Sequence, residues 1–190
     1  MQTANRVVSS EAEELILVDA DDNELGYRSK AECHDDGGIL HRAFSVFLFN
    51  TDGELLLQQR ADSKRLWPGY WSNTCCSHPR RGESMGVATE RRLDDELNIS
   101  AELEFVYKFS YQADFGELGA EHELCHVYLG RIDTLPEPND NEVKALRFVS
   151  PEALDAALDD EPSRFTPWFK LEWEALTGPY SDRLAAYLQG

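Results

Sequence analysis

The sequence predicts an α+β (mixed α/β) domain, and three observations carry that prediction. Two hairpin signals open the chain, an amphipathic helical stretch follows at 84–97, and further β-rich runs and then helical runs close it. Strands and helices gathered in that order pack as sheet and helix layers. At 190 residues the chain can bury one substantial core, so a single domain over 1–190 is expected.

The runs 15–19 (LILVD) and 24–28 (ELGYR) flank Ala20, Asp21, Asp22 and Asn23 and read as a hairpin. The runs 43–50 (AFSVFLFN) and 54–60 (ELLLQQR) flank Thr51, Asp52 and Gly53, a stronger hairpin signal. Between the two pairs, CHDDGGILH is polar and glycine-bearing and reads as loop. LWPGYWSNTCCSHPRRGE then passes through two proline turns with no helical period. At 84–97 Ser84 is placed to cap a helix whose apolar positions are Met85, Ala88, Leu93 and Leu97, with Gly86 a weak point. Segments 103–113 and 122–131 read as strands, Pro136 and Pro138 mark a loop, and 146–149 is a short strand. Ser150, Pro151 and Glu152 open a helix with proline at its first position. A last helix is expected from Pro167 toward Leu188, interrupted near Gly178 and Pro179.

Charge narrows the partners. Asp and Glu number 36 against 18 Lys and Arg, a formal net charge of −18. Such a surface repels nucleic acid and anionic membranes, so neither is expected as a partner. It also repels an anionic substrate at long range, so an enzyme for one needs a local positive cluster, a metal, or salt to screen the field. Lys30, Arg60, Lys64 and Arg92 are the candidates for that cluster. The acidic residues are spread along the chain, which fits a salt-adapted protein. The longest apolar run, 44–49, is far too short to span a bilayer, and the N-terminus shows no secretory signal, so a cytoplasmic monomer or weak homodimer is expected. Cys33, Cys75, Cys76 and Cys125 read as reduced thiols, because adjacent Cys75 and Cys76 make a poor disulfide.

Three constellations carry chemistry. His34 and His41 lie at two ends of a loop, since Asp36, Gly37 and Gly38 break any helix between them. His78 sits in a turn before Pro79, and Glu121 and Glu123, two apart in a strand, point to one face. Imidazoles with carboxylates suit a divalent metal. A lone histidine of this kind is more often structural, and His122 and His126, on the opposite strand face, are read so. Arg92 and Glu96 share a helix face, either as a solvated ion pair or as a guanidinium and a magnesium-binding carboxylate for one phosphorylated ligand. Cys76 is either a small buried hydrophobe or, beside a histidine, a thiol of lowered pKa able to move protons.

These residues in this order resemble the type 1 isopentenyl-diphosphate isomerases of the Nudix-fold superfamily. The matching blocks are Lys30, His34 and His41-Arg42-Ala43-Phe44; then Arg60, Lys64 and Trp67-Pro68-Gly69; then Trp71-Ser72-Asn73-Thr74-Cys75-Cys76-Ser77-His78-Pro79. They continue through Gly82-Glu83-Ser84, Arg91-Arg92, Glu96-Leu97, Tyr111, Glu121, Glu123, Cys125, Phe165, Pro167 and Trp168. The TCCSHP block with the downstream Glu-x-Glu-x-Cys is the specific part. The chain departs from the Nudix signature: Arg92 stands where a glutamate is usual and Asn98 where glycine is, which puts pyrophosphate hydrolysis in doubt.

The resemblance implies a Nudix-like fold with a central mixed sheet and flanking helices. It implies the reversible conversion of isopentenyl diphosphate to dimethylallyl diphosphate through a tertiary carbocation. Glu123, hydrogen-bonded to Tyr111, would deliver the proton and Cys76 as thiolate would remove one. Trp168 would face the cation, with Phe44 and Trp67 as walls, and Cys75 would only pack. His34, His41, His78, Glu121 and Glu123 would hold Mn2+, Zn2+ or Mg2+. A second ion, Mg2+, would bridge Glu96 and the substrate diphosphate, clamped by Lys30, Arg60, Lys64 and Arg92. No glycine-rich dinucleotide loop follows a strand, so no organic cofactor is expected. A nucleotide-hydrolysing Nudix enzyme and a non-catalytic metal-binding module are the competing readings.

Overall fold

The computed structural model describes residues 7–189; residues 1–6, on which part of the signal-peptide reading rests, and Gly190 lie outside the described residues. In chain order the strands and helices are β1 (Glu14–Val18), β2 (Glu24–Ser29), α1 (Lys30–His34), β3 (His41–Phe49), β4 (Leu55–Arg60), β5 (Trp71–Ser72), β6 (Cys75–Ser77), α2 (Met85–Leu97), β7 (Leu103–Asp114), β8 (Ala120–Arg131), β9 (Val143–Val149), α3 (Pro151–Asp160), α4 (Pro167–Thr177) and α5 (Ser181–Leu188). Among the described residues no helix is long and apolar enough to cross a membrane.

The first hairpin forms as expected, β1 against β2 from Glu14↔Ser29 to Val18↔Glu24. The second differs. Its turn closes, with Asn50 and Glu54 bonded through the backbone and Gly53 at φ +75°, but β3 and β4 register only at Phe49↔Leu55. They part because β3 has other neighbours. Along its whole length it runs parallel to β8, from His41↔Glu123 to Phe49↔Arg131. On its other edge it meets β1 at Leu17↔His41 and β6 from Phe44↔Ser77 to Val46↔Cys75. β7 extends the sheet beyond β8, and β4 carries β9 and β5. The proline-rich stretch read as turns therefore supplies two sheet strands. They are two and three residues long, too short for a periodic signal.

Alternation along β3 sorts its residues to two faces. Ala43, Phe47 and Phe49 pack with Phe169, Trp173 and Leu176 of α4, while Phe44, Val46 and Leu48 pack with Ala88, Leu93 and Leu97 of α2. Phe44 is thus core under α2 and no wall of the site, a correction to the reading of the sequence. Each fully buried Phe, Val or Leu among them contributes about 1.5–3 kcal/mol.

Two short-range devices place the ends of these elements. α1 begins with a capping box, Ser29 Oγ accepting from the Glu32 amide and the Glu32 carboxylate taking the Ser29 amide at 3.0 Å. His34 therefore ends a helix, where the sequence reading had loop. Gly119, at φ +134°, comes so close that any Cβ there would collide with the His34 carbonyl oxygen. That approach seats α1 beside the start of β8.

Candidate active site and metal centre

One end of β3 and β8, the C-terminus of α1 and the end of β6 bring five side chains to a point. His34, His41, His78, Glu121 and Glu123 are all buried, and one ligand-type atom from each lies within 4.8 Å of all the others. His41↔Glu123 is a register pair of the parallel β3–β8 ladder, and Glu121 follows on the same face two residues earlier. The expected two-residue geometry of the glutamates is what the strand delivers.

Several polar atoms of this buried cluster have no hydrogen-bond partner. His34 Nε2 and Glu121 Oε2 stand 2.9 Å apart, yet neither has a hydrogen-bond partner, so they sit side by side and not in line. His41 Nε2 is also unpartnered, while its Nδ1–H donates to the Ile39 carbonyl at 2.6 Å. That bond fixes the tautomer and leaves a bare lone pair facing inward, the usual support of a metal-binding histidine. Burial, then the neighbouring His34, pushes His41 down to about 4, and burial and His41 push His78 down as well. Imidazoles aimed at one point with two carboxylates fit a divalent cation. The group can hold one.

The two glutamates are driven apart. Burial opposes the charge on Glu121, but His34 and His41 outweigh it and hold the carboxyl down at about 2. Burial and the Glu121 charge push Glu123 well above the usual range. Glu123 Oε2 accepts the Tyr111 hydroxyl at 2.6 Å, and its Oε1 lies 2.7 Å from His78 Nε2. Two carboxyls two residues apart are thus shifted in opposite directions.

A cavity of about 410 Å3 opens beside the cluster, lined by His34, His78, Glu121, Glu123 and Tyr111 together with Lys30, Arg60, Lys64, Arg92, Cys76 and Trp168. The four cations named from the sequence do converge. Arg60 is held by the Trp67 and Leu66 carbonyls at 3.1 and 2.8 Å, which a left-handed Trp67 (φ +47°) turns toward it. Its guanidinium lies 5.3 Å from the Trp168 ring centroid. Trp67 does not line the cavity; it packs edge-on against Trp168 at 5.2 Å and supports it from behind.

Two expectations need correction. Arg92 and Glu96 are no solvated pair: they are 2% and 3% exposed and bonded to each other. Glu96 does not line the cavity, because Arg92 covers its carboxylate and Gln58 Nε2 donates to it at 3.1 Å. The carboxylate that faces the cavity here is Glu142, bonded to Lys64 and 3.1 Å from Arg92 Nη2. Burial works against its charge, but Lys64 and Arg92 keep Glu142 ionised. Nothing singled it out in the sequence, where it stands among the polar residues after Pro138. Cys76 is the second correction. Burial pushes its thiol up to about 12, with Arg60 pulling down and Glu96, Glu123 and Glu172 pushing up. The lowered pKa expected of a thiol beside a histidine is absent, because burial outweighs the pull of Arg60. His126 lies away from the cavity, 3.0 Å from Asp22, as its strand face requires.

Comparisons with known proteins agree with this geometry. The chain matches the NUDIX domain over residues 39–169. It is 44% identical to isopentenyl-diphosphate Delta-isomerase 1 of Photorhabdus laumondii over 174 residues, 90% of this chain and 99% of that protein. It is 48% identical to the isopentenyl-diphosphate Delta-isomerase of Serratia proteamaculans, covering 83% of this chain and 87% of that one. Among solved structures, a Deinococcus radiodurans protein superposes with a TM-score of 0.64 at 24% identity, over 77% of this chain and 89% of that one. A MutT NUDIX hydrolase of Burkholderia pseudomallei reaches 0.55 at 22%, over 71% and 96%. The last two likenesses speak to the fold alone.

Proposed function

We propose a function from this premise: the chain belongs to the isopentenyl-diphosphate Delta-isomerase family, built on the NUDIX fold. It interconverts isopentenyl diphosphate and dimethylallyl diphosphate, an isomerase step of isoprenoid biosynthesis. The observation that carries the mechanism is the arrangement about β3. Cys76 on β6 and Glu123 on β8 lie on strands either side of β3, and both open into the cavity that holds the cationic residues.

Lys30, Arg60, Lys64 and Arg92 bind the diphosphate and give it a fixed position in an otherwise repelling field. An isolated alkene is a weak base, so its protonation needs a strong, well-placed acid. The Glu123 carboxyl, protonated and oriented by Tyr111, gives its proton to the terminal carbon. A tertiary cation forms at carbon 3. The Cys76 sulfur, as thiolate, removes a proton from carbon 2, and the double bond closes between carbons 2 and 3. In the free site burial leaves protons on both groups. The reaction therefore starts once the thiol has passed its proton to solvent, a loss that burial opposes and the neighbouring Arg60 charge favours. Trp168, 3% exposed, sets its ring beside the cation and contributes about 1–2 kcal/mol in a desolvated site. A dry pocket matters because water would trap the cation as an alcohol.

His34, His41, His78, Glu121 and Glu123 would hold a divalent manganese, zinc or magnesium ion. Bound there, it supplies Lewis-acid polarisation and a fixed charge at the Glu123 carboxyl. Magnesium entering with the diphosphate would meet Glu142 at the cavity wall, and Glu96 once its contact with Arg92 opens. The spread of 36 acidic residues supports a salt-rich cytoplasm as the working environment.

Replacing Cys76 by Ala tests the reading. Turnover of isopentenyl diphosphate should fall on the order of 10³-fold with the circular dichroism spectrum unchanged. Retained turnover removes Cys76 from the chemistry, and phosphate release from nucleotides faster than allylic product favours a hydrolase instead.

A further inference from the structure

Behind the thiol and the acid lies a third carboxyl that the mechanism above does not use. Glu172 stands one helical turn after Trp168 on α4, on the same face of that helix, and is 0% exposed. Its Oε1 accepts the Cys125 thiol at 3.5 Å, and that thiol is also 3.4 Å from Ser45 Oγ. Its Oε2 is buried with no hydrogen-bond partner. Ser45 is the register partner of Cys76 across β3 and β6, so the two side chains share one face of the sheet.

The groups that face Glu172 come from four strands. They are Ser45 of β3, Cys76 of β6, Tyr107 of β7, and Cys125 and Glu123 of β8. None of these is a cation. A buried carboxyl bonded only to a thiol and a hydroxyl, with a second carboxyl, Glu123, facing it, is costly as an anion and keeps its proton. Burial pushes Glu172 up to about 8, the Ser45 and Cys125 contacts pulling the other way.

Building on the isomerase reading, we propose that Glu172 is a positioning residue for the acid–base pair, working as a neutral carboxyl behind Cys76 and Glu123. Neutral, it holds Cys125 and Ser45 in place without adding charge to the wall. Ionised, it sets a carboxylate close behind the sulfur in a low-dielectric interior, where it repels the thiolate the reaction needs. Loss of this one proton switches turnover off.

The test is the pH dependence of kcat for the metal-loaded wild type, Glu172→Gln and Glu172→Leu, with KM measured in parallel. Wild-type kcat is expected to fall above about pH 8 while KM holds. In Glu172→Gln, kcat near neutrality should stay within a few-fold of wild type and the alkaline fall should disappear or move up by at least about one pH unit. A Glu172→Gln profile that coincides with wild type overturns the proposal. If both variants misfold, infrared titration of Glu123→Gln, where the other raised acid is silent, decides it. A protonated-carboxyl band lost near pH 8 supports the proposal, and no such band at neutral pH overturns it. A wild type with no isomerase turnover sinks the functional reading instead, while the infrared titration still reports the Glu172 proton.

Discussion

At one end of the cavity three imidazoles and two carboxylates face one another; at the other, Glu96 and Glu142 are each held by Arg92, and Glu142 also by Lys64. Both corners bury carboxylates to a similar depth, Glu121 and Glu123 at 7% and 8%, Glu96 and Glu142 at 3%. The difference lies in how the charge is met. The histidine corner leaves His34 Nε2, His41 Nε2 and Glu121 Oε2 without partners and shifts its two glutamates in opposite directions. The arginine corner spends its cations on its own carboxylates. The first corner is built to receive a cation, and the second must exchange internal partners before an anion can bind.

The largest effect should come from breaking the first corner at its acid. Glu123→Gln keeps the shape and the Tyr111 contact but cannot deliver a proton, and turnover should drop on the order of 10³-fold. A fully active variant would remove Glu123 from the role of acid. Breaking the second corner acts on stability. Arg92→Met leaves Glu96 and Glu142 buried without their guanidinium, and urea unfolding should show a loss of about 3–5 kcal/mol. A loss under about 1 kcal/mol would mean that the pair is exposed in solution and worth little.

Metal removal should separate the corners further. If the histidine corner holds a cation, a chelator should lower stability by about 3–4 kcal/mol relative to protein with metal well above its dissociation constant. Glu121→Gln should lose most of that response, whereas Glu142→Gln should keep it. The smallest effect is pH-dependent. Glu172 is raised from 4.5 to about 8 in the folded chain, so its tightly held proton stabilises the fold fully below about pH 4.5. That contribution fades as pH rises and is gone above about 8. Relative to wild type, Glu172→Gln should gain on the order of 2 kcal/mol across that window, less than the full linkage value because buried sites relax around charge.

Much of this was legible in the sequence, for physical reasons that differ by element. α2 follows from Ser84 and its apolar spacing, and the chain ends it at Asn98 in the left-handed conformation (φ 57°) where a glycine is common. The facing of Glu121 and Glu123 follows from the two-residue period of a strand. The convergence of Lys30, Arg60, Lys64 and Arg92 was anticipated from the scarcity of cations in an acidic chain. What escaped depends on long-range pairing. β5 and β6 are too short to announce themselves, and the parallel β3–β8 ladder joins segments about eighty residues apart. That ladder carries His41 to Glu123, and β6 carries Cys76 to Ser45. Glu142 and Glu172 gave no signal because their roles arise from neighbours on other elements. The choice between the two readings of the Cys76 thiol stays open in the sequence because a motif reports a neighbour's identity but not its burial.

The most direct test of the account is a double-bond shift followed by NMR in heavy water, with the metal-loaded protein and isopentenyl diphosphate. Wild type is expected to form dimethylallyl diphosphate carrying deuterium in a methyl group, and Cys76→Ala and Glu123→Gln to lose that product. An unlabelled product, or none while nucleotides are hydrolysed, would contradict it.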